Sequence, residues 1–199
     1  MIFGFRGRGG SPFSLRQTLL SRVMQARINL VLVFAFTAVN IVLLAAGSGT
    51  YFLFSASVPY FIALIGAILC GSFPPEYYTE AGILPNELLP SHMMVGFILV
   101  AMGIAALYLL AFLLSKKRPV WLLVALVFFV IDTVAMFLFS GLSIDMLLDL
   151  LFHVWVLVEL ILGVRAVKQL KTLPADFPED GIPFVNPISP DDRNTPKND

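Results

Sequence analysis

Four side chains in the last two apolar stretches are of types that could do chemistry: Asp132, Asp149, His153 and Glu159. Asp132 lies inside RPVWLLVALVFFVIDTVAMFLFS. The other three lie in SIDMLLDLLFHVWVLVELILGVRAVKQLK, with Asp149 near the rim. An acid at the centre of an inserted helix costs about 2.5–3.5 kcal/mol, so each such group must be solvated or paired. At about 100° per residue, Asp145 at 0° puts Asp149 near 40°, His153 near 80° and Glu159 near −40°, while Arg165 falls near 200°. The acids and the imidazole therefore share about 120° of arc, a polar face that must turn away from lipid. The two stretches form an antiparallel pair about a turn centred between Leu142 and Ser143. Asp132 and His153 are equidistant from that centre, so they share a depth, about 4–5 Å from the bilayer midplane at 1.5 Å rise per residue. An Asp–His contact there would favour imidazolium or orient a neutral ring. Such a cluster fits a proton relay, a cation site, or a tie between two helices.

The elements that must position these groups follow from composition. The chain has 199 residues, 58% hydrophobic and 13% charged, with mean hydropathy +0.89. Globular domains carry about 25% charged residues, and uninterrupted apolar runs near 20 residues mark membrane spans. Zero formal net charge gives no electrostatic case for a nucleic-acid partner. One cysteine, Cys70, excludes an internal disulfide, a CxxC pair and a Cys-rich zinc site. Two histidines, His92 and His153, exclude a three-His metal centre, and no cofactor is indicated. The expected fold is all-α: a polytopic transmembrane helical bundle of about five membrane helices.

Residues 1–27 carry five arginines and no acid. From Phe13 the apolar pattern Leu15, Leu19, Val23 fits a short amphipathic helix at the headgroup level, its arginines drawn to anionic lipid; a basic flank orienting the first span fits equally well. The span at 28–47 exceeds a signal-peptide core, and Asn29 and Asn40 within it can hydrogen-bond neighbouring helices. The next run, 51–73, contains Pro59, which inside a span frees a carbonyl that nearby serines can satisfy. Ala63 and Ala67 make a small-xxx-small step, and Gly96, Gly103 and Ala106 give the third run, 92–114, a face for close helix contact. The loop 74–90 has four prolines, three acids and no Lys or Arg, and reads as an interfacial connection; His92 is an interfacial residue. Residues 28–171 thus form the membrane domain. The remaining 172–199, with six prolines and six acids, cannot bury enough apolar surface to offset ordering entropy and are predicted to be disordered.

Five spans place Lys116/Lys117/Arg118 and Arg165/Lys168/Lys171 on one side, which the positive-inside rule makes cytoplasmic. The basic N-terminal segment would then lie outside, against the rule. If 51–73 instead enters and leaves on one side, all eleven of these bases share the cytoplasm, but a re-entrant segment needs protein around it. Five spans is the preferred reading.

Enzyme signatures such as HExxH, GxSxG and GxxxxGK[ST] do not occur. A hydrolase would need a nucleophile level with His153, and Ser55, Ser57 and Thr133 are available. The stretches TYFLFSASVPYF, PPEYYTE, SKKRPVWLLVALVFFVIDTVAMF and IDMLLDLLFHVWVLVELILGV, ending in QLKTLP, resemble a group of small multi-span proteins from Gram-positive bacteria. That resemblance covers most of 28–174 and implies a bacterial plasma membrane and nothing catalytic. Three functions are weighed: a non-enzymatic accessory component of a membrane complex, homo-oligomeric or with a membrane partner; a proton- or cation-coupled transporter or channel subunit using the Asp132, Asp149, His153, Glu159 cluster; and an intramembrane enzyme.

Overall fold

The computed structural model describes residues 12–52, 54–140 and 146–173. They form six helices and no strand: α1 (Pro12–Ala45), α2 (Ser57–Leu69), α3 (Pro75–Glu80), α4 (Met93–Ser115), α5 (Val120–Ser140) and α6 (Met146–Thr172), with one turn of 3₁₀ helix at Pro85–Glu87. The tail predicted to be disordered lies outside the described residues from position 174 on.

Four helices, α1, α4, α5 and α6, are long and apolar enough to cross a membrane. They pack in a ring in which α1 touches α4 and α6, and α5 touches α4 and α6. Ala26, Leu30 and Val33 of α1 meet Tyr108 and Ala111 of α4, Leu122 and Phe129 of α5, and Phe152, Val156 and Leu160 of α6 in one buried core. The outer surface is apolar as well: Leu138 is 78% exposed and Leu99 67%. Large aliphatic side chains turned outward along whole helices suit hydrocarbon as the surrounding solvent.

The second apolar run differs from a fifth span. Helix α2 has 13 residues, about 20 Å at 1.5 Å per residue, against a hydrocarbon core of about 30 Å. Helix α1 stops at Ala45, where Gly47 takes φ 69° and Ser48 N–H reaches the Leu43 carbonyl at 2.9 Å, a Schellman close that needs a residue tolerant of the left-handed region. The chain then turns back along α1. Phe52 is level with Asn40, and Ala56 with Thr37. Helix α2 begins at that depth and returns toward the end it came from: Phe61 meets Phe139 at the end of α5, and Leu89 N–H reaches the Leu69 carbonyl. Pro59 therefore does not break a span; it occupies the third position of α2, where a missing N–H is harmless.

This re-entrant course determines how the charges are distributed. All nine described Lys and Arg residues stand at one end of the bundle, on the first half of α1, the α4–α5 turn and the last turns of α6. Glu76, Glu80 and Glu87 stand at the other, in a segment whose Tyr78 is buried with its hydroxyl accepting Phe73 N–H. Residues 13–27 do not form a separate surface helix. They continue into the span as one 34-residue helix, with Val23, like Val164 and Val167 of α6, packed against the buried core.

Two helix contacts depend on glycine. Gly163 of α6 lies against Ala26 of α1, and Gly66 of α2 lies against Phe97 of α4; a Cβ on either would collide with its neighbour. The expected contact face on α4 is corrected: Gly96, Gly103 and Ala106 are exposed, with open space at both glycines, and the packed face carries Ala101, Ala105, Tyr108 and Ala111. Tyr108 fills the space between helices that the small residues alone would leave empty.

Candidate functional site

The site is built on the start of α2. A helix leaves its first N–H groups without intrahelical partners, and in hydrocarbon each must be satisfied by protein. Here all of them are accounted for. Ala56 N–H donates to Thr37 Oγ1 at 2.8 Å. Ser57 N–H donates to Asp132 Oδ2 at 2.9 Å and Val58 N–H to Asp132 Oδ1 at 2.7 Å. Residue 59 is proline and has no N–H. The Thr37 hydroxyl itself donates to the Val33 carbonyl at 2.6 Å. Asp132 thus caps, from α5, a helix that begins 75 residues earlier in sequence. The positive end of the α2 dipole adds to the attraction for a carboxylate there.

His153 completes the arrangement. Its Nε2 lies 3.2 Å from Asp132 Oδ2 and its Nδ1 2.8 Å from the Asp149 carbonyl oxygen. A carbonyl only accepts, so Nδ1 carries a proton. One further proton must then lie between Nε2 and Oδ2. The imidazole is fully buried and the carboxyl 2% exposed. The ring stacks on Phe129, centroids 5.1 Å apart and planes 20° from parallel, with Phe152 edge-on at 5.9 Å.

The approach to α2 is held by a second polar set. Asn40 Nδ2 donates to the Phe52 carbonyl at 2.6 Å and Asn40 Oδ1 accepts Phe52 N–H at 2.8 Å. Phe54 adopts φ 80°, a conformation rare for a bulky residue and costing about 1–3 kcal/mol. Its ring lies 4.9 Å from that of Phe152 and 6.1 Å from that of Phe36. The half-buried Asp149 carboxylate faces Phe54 N–H and the Tyr51 hydroxyl, while its Oδ1 has no hydrogen-bond partner.

Of the four residues singled out, then, Asp132 and His153 touch, and Asp149 joins through its backbone carbonyl. Glu159 does not join them. It lines a groove of about 480 Å³ with Gln17, Thr18, Ser21, Arg22 and Gln25 of α1. Its place on the shared arc of α6 faces α1, because the 120° polar sector is divided between two neighbouring helices rather than turned toward one. Sequence reasoning missed Thr37 and the backbone of Ser57 and Val58. A threonine within a span and a proline two positions after a serine were the available signs of a helix start. Asn40 pairs not with a neighbouring helix but with the backbone of Phe52 in the connection to α2; Asn29 is 1% exposed with neither amide atom partnered.

Chemically the Asp132–His153 pair is saturated, while Asp149 Oδ1 beside it has no partner. Both ring nitrogens of His153 are engaged, so neither can take a proton from a hydroxyl. Ser55 is bonded to the Tyr51 hydroxyl at 3.0 Å and Thr133 to the Phe129 carbonyl at 2.8 Å. Among the described residues no group of three or more His, Cys, Asp or Glu could hold a metal ion. Compared with protein-family models, curated proteins and solved structures, the chain matches none.

Proposed function

We propose that the chain is a non-catalytic multi-span protein of the bacterial plasma membrane, an accessory component of a membrane complex, in which Asp132 and His153 hold a half-helix at mid-depth. The observation that carries this reading is the saturation of the pair: Asp132 accepts two backbone N–H groups and contacts His153, whose other nitrogen is spent on a carbonyl. A relay or ion site needs a polar atom left over for its cargo, and the pair itself keeps none; the unpartnered oxygen at the site is Asp149 Oδ1. The open glycines of α4, Gly96 and Gly103, offer a face where a helix of another subunit could approach closely.

A half-helix whose N-terminus points into the bundle is also the way many transporters present a site, and this favours ion coupling as the second reading. Reconstituted vesicles separate the two. Proton, sodium and potassium flux should equal that of empty vesicles under an imposed gradient. A flux present in the native protein and abolished by Asp132→Asn, with insertion intact, would overturn the accessory reading.

The clustering of bases at one end supports a cytoplasmic position for both the first half of α1 and the end of α6. In a Cys70→Ser background, a cysteine at position 117 should resist an impermeant maleimide in intact cells, and one at position 82 should react. The reverse pattern would invert the orientation.

A further inference from the structure

Arg27 of α1, Lys116 of the α4–α5 turn and Lys171 at the end of α6 line one cavity of about 290 Å³. Its other walls include Val23, Pro119 and Val167, and no acid lines it. Among the described residues none of the three cations has an ion-pair partner. Arg27 is fixed in place: its Nε donates to Ser115 Oγ at 3.1 Å, one Nη to the Phe112 carbonyl at 3.3 Å, and the guanidinium lies 4.9 Å over the Phe112 ring. The other Nη donates to Met24 Sδ at 3.9 Å; one further N–H remains on each terminal nitrogen, and a guanidinium suits a phosphate. Lys116 and Lys171 are exposed and free to close on it.

We infer that this cavity seats the headgroup of an anionic phospholipid, its phosphate against the three cations and its glycerol and first acyl carbons against the apolar walls. The level fits. The cavity lies where the apolar run of α4 ends at Ser115 and the bases begin, which is where a headgroup meets the hydrocarbon. A soluble anion has no use for Val23 and Val167, whereas a lipid needs both kinds of wall. The inference is independent of whether the Asp132–His153 pair is structural or coupled to ions.

The full-length protein, purified in mild detergent, is titrated with phosphatidylglycerol and with phosphatidylcholine, and bound lipid is counted by native mass spectrometry. The anionic lipid should be retained in preference. Replacing both exposed lysines, Lys116→Gln with Lys171→Gln, should weaken it about thirtyfold, from roughly a factor of five per cation near the surface. The pair Lys117→Gln with Arg118→Gln, exposed bases that do not line the cavity, should leave binding unchanged. Equal loss in both doubles reduces the effect to a diffuse field and overturns the site. So does equal retention of the two lipids, or displacement by millimolar glycerol phosphate, which identifies a soluble-anion site. Binding seen only after removal of residues 174–199 assigns the cavity to the acidic tail and also overturns it.

Discussion

Asp132→Ala is expected to lower stability by about 3–5 kcal/mol, the range for removing one partner of a buried pair. Two N–H donors at the start of α2 lose their acceptor at once, and His153 loses its contact. Asp132→Asn should cost less, about 1–3 kcal/mol, because an amide can accept only through its oxygen and leaves one of the two N–H groups unpaired. Thr37→Val removes the acceptor for Ala56 N–H and belongs in the same range. Asp149→Asn, at a half-buried carboxylate with an unpartnered oxygen, should fall below about 1 kcal/mol. Denaturation in mixed micelles gives the order. If Asp132→Ala is no less stable than Asp149→Asn, the carboxylate does not hold the half-helix. Nitrogen-15 shifts of His153 provide a second readout: the Nε2 signal should move when Asp132 is replaced, while Nδ1, bonded within α6, should not.

The second large effect is steric. Gly163→Val should destabilise the bundle by about 1–3 kcal/mol, the usual penalty for forcing methyl groups into a packed contact. The collision is with Ala26, whose Cβ cannot rotate away, so α1 and α6 must part along their longest contact. Gly103→Val offers the contrast. The same change meets open space on α4 and should leave stability within about 0.5 kcal/mol, the range for surface substitutions. Equal losses at the two positions would mean that the Ala26 contact does not set the cost.

What the sequence could convey was depth and periodicity. Asp132 and His153 are symmetric about their turn, so their meeting follows from rise per residue alone. The four long helices follow from uninterrupted apolar runs. The half-helix does not, because the partners of Asp132 are backbone N–H groups, which every residue but proline possesses and which leave no mark in residue type. Pro59 carried the signal in ambiguous form: proline can kink a span or open a helix, and only the return of the chain along α1, with Phe52 level with Asn40 and Ala56 with Thr37, decides between them. Glu159 shows the complementary failure. Angular position on one helix is legible, but which neighbour covers each sector depends on the ring order of four helices. The glycines of α4 read as a contact face for the same reason, and the face that packs is the one bearing Tyr108.

The re-entrant segment also has a consequence for biogenesis. A ribosome finishes α2 long before it reaches Asp132, so the donors at Ser57 and Val58 emerge without their acceptor. That stretch must wait in a wet environment, at the interface or inside the insertion machinery, until the third and fourth spanning helices arrive. The order of synthesis makes the arrival of α5, about two thirds of the way along the chain, the step that commits the first third to its final depth.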